Sequence, residues 1–145
     1  MSLKAFKILG GAGAIVAVAA ALVAVFSGGC PSCIETASGA CVPMKCHWAM
    51  IAVALIEVIA AFDYLGLAFV KCKIGRRWLA AACALCQVLA VVCLYGLIGL
   101  CGADEMHCHA TALAVSILAA ISVVLCIVAA VKADPKAANL PKRGL

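Results

Sequence analysis

Four long apolar runs constrain this chain more than any other feature: roughly Ile8–Ser27, Trp48–Val70, Trp78–Leu100 and Ala110–Val131. A helix crosses the bilayer core with about 20 apolar residues at a rise of about 1.5 Å each, and each run meets that length. Inside hydrocarbon every backbone N–H and C=O must find a partner within the protein, so runs of this kind are expected as α-helices. The rest of the composition agrees. Hydrophobic residues make up 68% of the chain and charged residues only 12%, with a mean hydropathy of +1.25, whereas a soluble domain carries about 25% charged residues. With 145 residues and short connections, the expected fold is an all-α membrane protein. It would be a single four-transmembrane-helix bundle over residues 1–131, followed by a tail, 132–145.

Charge predicts the orientation. Of eleven Lys and Arg, ten lie at the N-terminus (Lys4, Lys7), in the second connection (Lys71, Lys73, Arg76, Arg77) or in the tail (Lys132, Lys136, Lys142, Arg143). Only Lys45 lies elsewhere. The positive-inside rule then places both termini in the cytoplasm, with residues 28–47 and 101–109 outside. The net charge of +5 reads as topology with some attraction to anionic lipid, and nucleic acid is not expected as a partner. Lys4 and Lys7 before an apolar run ending at Ser-Gly-Gly-Cys30 resemble a lipoprotein signal. The run is too long for one, and Ser27 stands where an aliphatic residue would be needed, so helix 1 is expected to stay in place.

Chemistry concentrates at the outer ends of helices 2 and 4. The string M-x-C-H occurs twice, as Met44-Lys45-Cys46-His47 and Met106-His107-Cys108-His109, and a further cysteine, Cys41 or Cys101, precedes each copy. The repetition predicts two related helix hairpins. Thioether, thiolate and imidazole are ligands for copper or iron, and imidazole also ligates haem. Candidate metal ligands are therefore Met44, Cys46, His47, Met106, His107, Cys108 and His109. In an up-down-up-down bundle helices 2 and 4 are diagonal and both start at the outer face. His47 and His109 could then meet across the bundle mouth and hold one metal or a haem.

Six of the eleven cysteines lie in the outer connections, where an even number favours disulfides. The repeat suggests local pairs, Cys41 with Cys46 and Cys101 with Cys108, although cross-loop pairing stays open. Staples of this kind would leave Met and His as the ligands. Cys30-Pro-Ser-Cys33 has the C-x-x-C spacing of thiol–disulfide exchange and of metal clips, and equally of a small stabilising loop. Cys83, Cys86 and Cys93 form a rough stripe on helix 3, which with Cys126 is expected to serve packing.

Three polar side chains are expected inside the membrane: Glu57, Asp63 and Gln87. An intramembrane acid costs about 2.5–3.5 kcal/mol on insertion scales, so each asks for a role. Asp63 and Gln87 lie at similar depth on neighbouring helices and could hydrogen-bond, while Glu57 has no evident partner. It could relay a proton, contact a quinone or face another subunit.

The paired blocks at 41–48 and 97–111 resemble an uncharacterised bacterial membrane family, a domain of unknown function with four helices. The resemblance covers about residues 30–131. Ala49 stands where that family carries Thr after its C-H-W. Members look like companions of FtsX/MacB-type ABC permeases and iron-handling membrane proteins. The resemblance therefore implies an accessory subunit of a transport or redox assembly, or a purely structural subunit of a permease, among other membrane subunits. A looser architectural likeness is to DsbB-type thiol oxidoreductases, in which Cys30 and Cys33 would be catalytic and a quinone the cofactor. No Arg at the outer helix ends is present to polarise a quinone.

Overall fold

The computed structural model describes residues 3–27, 34–35, 37–42, 44–102 and 107–132. Four long helices dominate it: α1 (Leu3–Phe26), α2 (Lys45–Phe69), α3 (Lys73–Val92) and α4 (His107–Lys132). A single π-helical turn, Cys93–Leu97, continues α3. All four helices are long and apolar enough to cross a membrane. A small antiparallel hairpin, β1 (Ile34–Glu35) and β2 (Cys41–Val42), lies between α1 and α2. Each helix begins before its apolar run does, so Cys46, His47, His107, Cys108 and His109 stand in first helical turns, not in loops. Extending a helix outward gives its backbone groups partners through the polar interface, which a loop would not.

α1 packs against α2 and α4, and α3 against the same two, so α2 and α4 are diagonal. The buried positions recur every three or four residues, as facing helices in a bundle require. On α4 they include Cys108, Ala112, Val115, Ala119, Ser122, Cys126 and Ala129, and on α3 with its π turn they include Arg76, Ala80, Cys83, Gln87, Ala90 and Leu94. Most of these side chains are small. Helices in lipid associate by close approach, not by escaping water, and small residues permit it. Gly10 and Gly13 bring α1 onto Tyr64 of α2: a Cβ on Gly13 would lie 2.2 Å from the Tyr64 ring. Large apolar side chains such as Ile15, Leu55, Phe62 and Val124 are turned outward, as expected when the solvent is hydrocarbon.

The core has two halves. One joins the end of α1, the starts of α2 and α4 and the end of α3, around Cys46, Met50, Val53, Leu94, Cys108 and Val115. The other joins the opposite ends, around Phe6, Tyr64, Leu67, Cys83 and Cys126. The first half defines a cysteine-rich end and the second a basic end. At the basic end Arg76 stacks 4.2 Å above the Phe6 ring and donates from Nε to the Val70 carbonyl at 2.7 Å. That bond caps α2 and closes the short turn into α3. Trp48 and Trp78 are exposed at opposite ends of the bundle, where amphipathic rings anchor to the membrane interface.

Candidate functional site

The cysteine-rich end is built from three directions. Cys46 enters on the core-facing stripe of α2, which continues through Met50, Val53 and Glu57. Cys108 enters on the corresponding stripe of α4, one turn from Ala112. The third thiol comes from the connection after α3. The π turn adds a residue to the helical repeat and closes on an Ile98 N–H to Cys93 carbonyl bond of 3.2 Å. Gly99 then takes a φ of +80°, open to glycine and strained for other residues. The chain turns back, and Leu100 and Cys101 settle against the core.

The result is a cluster of three thiols, Cys46, Cys101 and Cys108, whose sulfurs all lie within 4.8 Å of one another. Cys46 and Cys108 are buried and Cys101 is half-buried. Cys101 Sγ lies 3.1 Å from Cys46 Sγ. His109 fixes the position of Cys101, with Nε2 2.9 Å from its carbonyl oxygen. Thr111 Oγ1 donates to the Ser27 carbonyl at 2.7 Å and ties α4 to the end of α1. The surroundings, Ala49, Met50, Leu94, Ala112 and Val115, are apolar, so negative charge on the sulfurs would have to be neutralised by what they bind.

This arrangement differs from the local pairing expected from the repeat. Cys41 is disulfide-bonded, but Cys46, Cys101 and Cys108 are thiols, so neither Cys41–Cys46 nor Cys101–Cys108 is formed. For the first pair the physical reason is helical phase; the second pair does meet, but as two thiols of one cluster. Cys46 and Cys108 belong to core-facing stripes, while Cys41 sits on an exposed hairpin strand opposite Glu35.

The histidines are placed differently from one another. His47 packs edge-on against Trp48, with centroids 5.8 Å apart, and lines a groove of about 210 Å³ with Ala24, Val25, Met50 and Ile51. His107 is exposed, and His109 is engaged with the Cys101 carbonyl. Among the described residues no imidazole joins the thiol cluster. Met44 precedes the first turn of α2 and packs against the same core half as the thiols. Cys30, Cys33 and Met106 lie outside the described residues.

Deeper in the bundle, Gln87 Nε2 donates to Glu57 Oε2 at 3.0 Å, and both residues are buried. Gln87 was expected to meet Asp63. Asp63 lies six residues beyond Glu57, about 240° further round α2 at roughly 100° per residue, and is partly exposed instead. A further buried polar contact joins α2 to α4. Tyr64 OH donates to the Ser122 carbonyl at 2.8 Å and lies 2.9 Å from Cys126 Sγ. The seven-residue step from Glu57 to Tyr64 was the available signal that both share one face.

Three thiolates can hold a soft metal ion. With metal–sulfur bonds of about 2.3 Å, a trigonal site spaces its sulfurs roughly 4.0 Å apart, within the observed cluster. The 3.1 Å pair would open by roughly 1 Å to reach that spacing, and would close by about the same to reach a disulfide near 2.05 Å. Both chemistries are thus within a small side-chain motion. Among families of known sequence, the model for a domain of unknown function, DUF4418, matches residues 8–133. No curated protein and no solved structure matches the chain.

Proposed function

We propose that the chain, which belongs to the DUF4418 family, is a multi-pass membrane protein that binds a soft metal ion at its cysteine-rich end. Cys46, Cys101 and Cys108 would be the ligands and copper as Cu(I) the foremost metal, because three thiolates in an apolar setting suit that ion best. The observation that carries the reading is the convergence of three sulfurs from three separate segments within 4.8 Å. Met44, on the same core half, is a candidate for a further ligand. Iron remains an alternative with the same sulfurs. Haem is less favoured, since His109 would have to release the Cys101 carbonyl first.

The lysine and arginine bias supports a placement with both termini cytoplasmic and the thiol end outside. The twin M-x-C-H strings support descent from two helix hairpins. In this reading the protein is an accessory subunit that holds a metal ion for a larger transport or redox assembly in the bacterial cytoplasmic membrane. Purified under reducing conditions, it should bind one Cu(I) per chain in competition with a colorimetric chelator. Cys46→Ser combined with Cys108→Ser should abolish that binding. Absence of binding above a no-protein control would end the proposal.

A second reading, thiol–disulfide exchange, draws support from the 3.1 Å separation of Cys46 and Cys101. Two thiols would give up two electrons and two protons to an acceptor disulfide or quinone and form one S–S bond. It predicts a Cys46–Cys101 disulfide in untreated protein and a trapped mixed disulfide in the Cys101→Ser variant.

A further inference from the structure

Between the two halves of the core the bundle buries a polar pair that the thiol site does not use. Glu57 and Gln87 are 0% and 1% exposed, and one hydrogen bond, Gln87 Nε2 to Glu57 Oε2, joins them. The second oxygen of each, Glu57 Oε1 and Gln87 Oε1, is buried with no hydrogen-bond partner. Two orphaned acceptors on one bonded pair are chemically informative. A carboxylate and an amide oxygen repel each other, and a buried polar atom without a partner is costly. A carboxylic acid beside an amide has the missing donor. One proton turns the pair from a single bond with two orphans into a reciprocal acid–amide pair.

We propose that Glu57 and Gln87 form a proton-binding site in the middle of the bundle, with the bound proton on Glu57 Oε1 held against Gln87 Oε1. The surroundings favour the neutral form. Among the described residues the buried faces of α1 and α4 carry no basic side chain: Ala14, Ala17, Ala20 and Ala21 on one, and Val115, Ala119, Ser122 and Cys126 on the other. Of the titratable groups on the adjoining elements, Cys86 on α3 lies near this level, with Cys83 one turn and Asp63, Tyr64 and Cys126 about two turns further toward the basic end. None of them supplies a positive charge. Gln87 also lines a groove of about 310 Å³ between α3 and α4, together with Val88, Val91, Val92 and Ser116. The proton site is thus one side chain away from a largely apolar, membrane-facing groove.

Infrared spectroscopy of the full chain in lipid tests this directly. At neutral pH the wild type should show a protonated-carboxyl C=O band that shifts in D₂O, is absent from Glu57→Gln, and moves to higher frequency in Gln87→Leu as the hydrogen bond is lost. An identical carboxyl region in wild type and Glu57→Gln would overturn the proposal. Carbon-13 labelling of glutamate side chains needs no substitution. The chain has three glutamates, Glu35, Glu57 and Glu105. One of the three should stay protonated across the neutral range, and three carboxylate signals there would overturn the proposal as well.

Discussion

Single atoms decide how closely these helices approach. A Cβ at Gly13 would lie 2.2 Å from Tyr64 Cδ1, and one at Gly10 would lie 2.7 Å from the Tyr64 carbonyl, whereas a Cβ at Gly11 would meet nothing within 4 Å. Gly13→Ala should therefore destabilise the bundle by about 1–3 kcal/mol, the usual cost of overpacking, while Gly11→Ala leaves the melting temperature nearly unchanged. Thermal unfolding in detergent compares the two. Cys72 is exposed at the start of α3, and the backbone N–H groups of Gly75 and Ile74, with Arg76 nearby, hold its thiol below the usual value. Lowering the pKa raises the thiolate fraction at any given pH. Iodoacetamide should then alkylate Cys72 with a pH midpoint below that of an ordinary exposed thiol, the rate falling as pH drops through it. A midpoint at or above the ordinary thiol value would contradict this.

At the level of elements, the connection from α3 to α4 determines whether the thiols meet at all. The π turn Cys93–Leu97 and the left-handed Gly99 bring Cys101 over the bundle end. Gly99→Ala would place a Cβ in the left-handed region, at a cost of about 1–2 kcal/mol. The expected outcome is a local one: helix content is retained, but oxidant-induced crosslinking of Cys46 to Cys101 slows, as peptide mapping would show. Crosslinking at the wild-type rate would mean that the turn does not position Cys101. None of this was legible in the sequence, because a π turn has no distinct residue signature and Leu97–Leu100 reads as ordinary helix. Nor could spacing alone pair Cys46 with Cys101, since the partner depends on where the chain re-enters after α3.

For the molecule as a whole, the arrangement is a membrane bundle with a three-thiol cluster at one end, a concentration of cations at the other and an acid–amide pair between them. The expected orientation makes a further prediction. A membrane-impermeant maleimide applied to intact cells should leave Cys72 unlabelled, and permeabilisation should expose it; labelling in intact cells would reverse the topology. The number of helices, their length and their apolar character follow from the sequence alone, because lipid leaves the backbone no alternative to internal hydrogen bonding. Core faces were also readable in part. The three-and-four spacing from Cys46 through Val53 and Glu57 to Tyr64 repeats on α3 and α4. What only the tertiary structure decided is which polar groups share a partner. Gln87 met Glu57 instead of Asp63 because helical phase turned Asp63 away. The M-x-C-H strings contributed their cysteines to a common cluster because those side chains lie on core-facing stripes, while His47 and His107 fall outside it. Residue type and spacing specify a helix and its buried face. Only the meeting of several faces at one bundle end determines which sulfurs come within reach of a single ion.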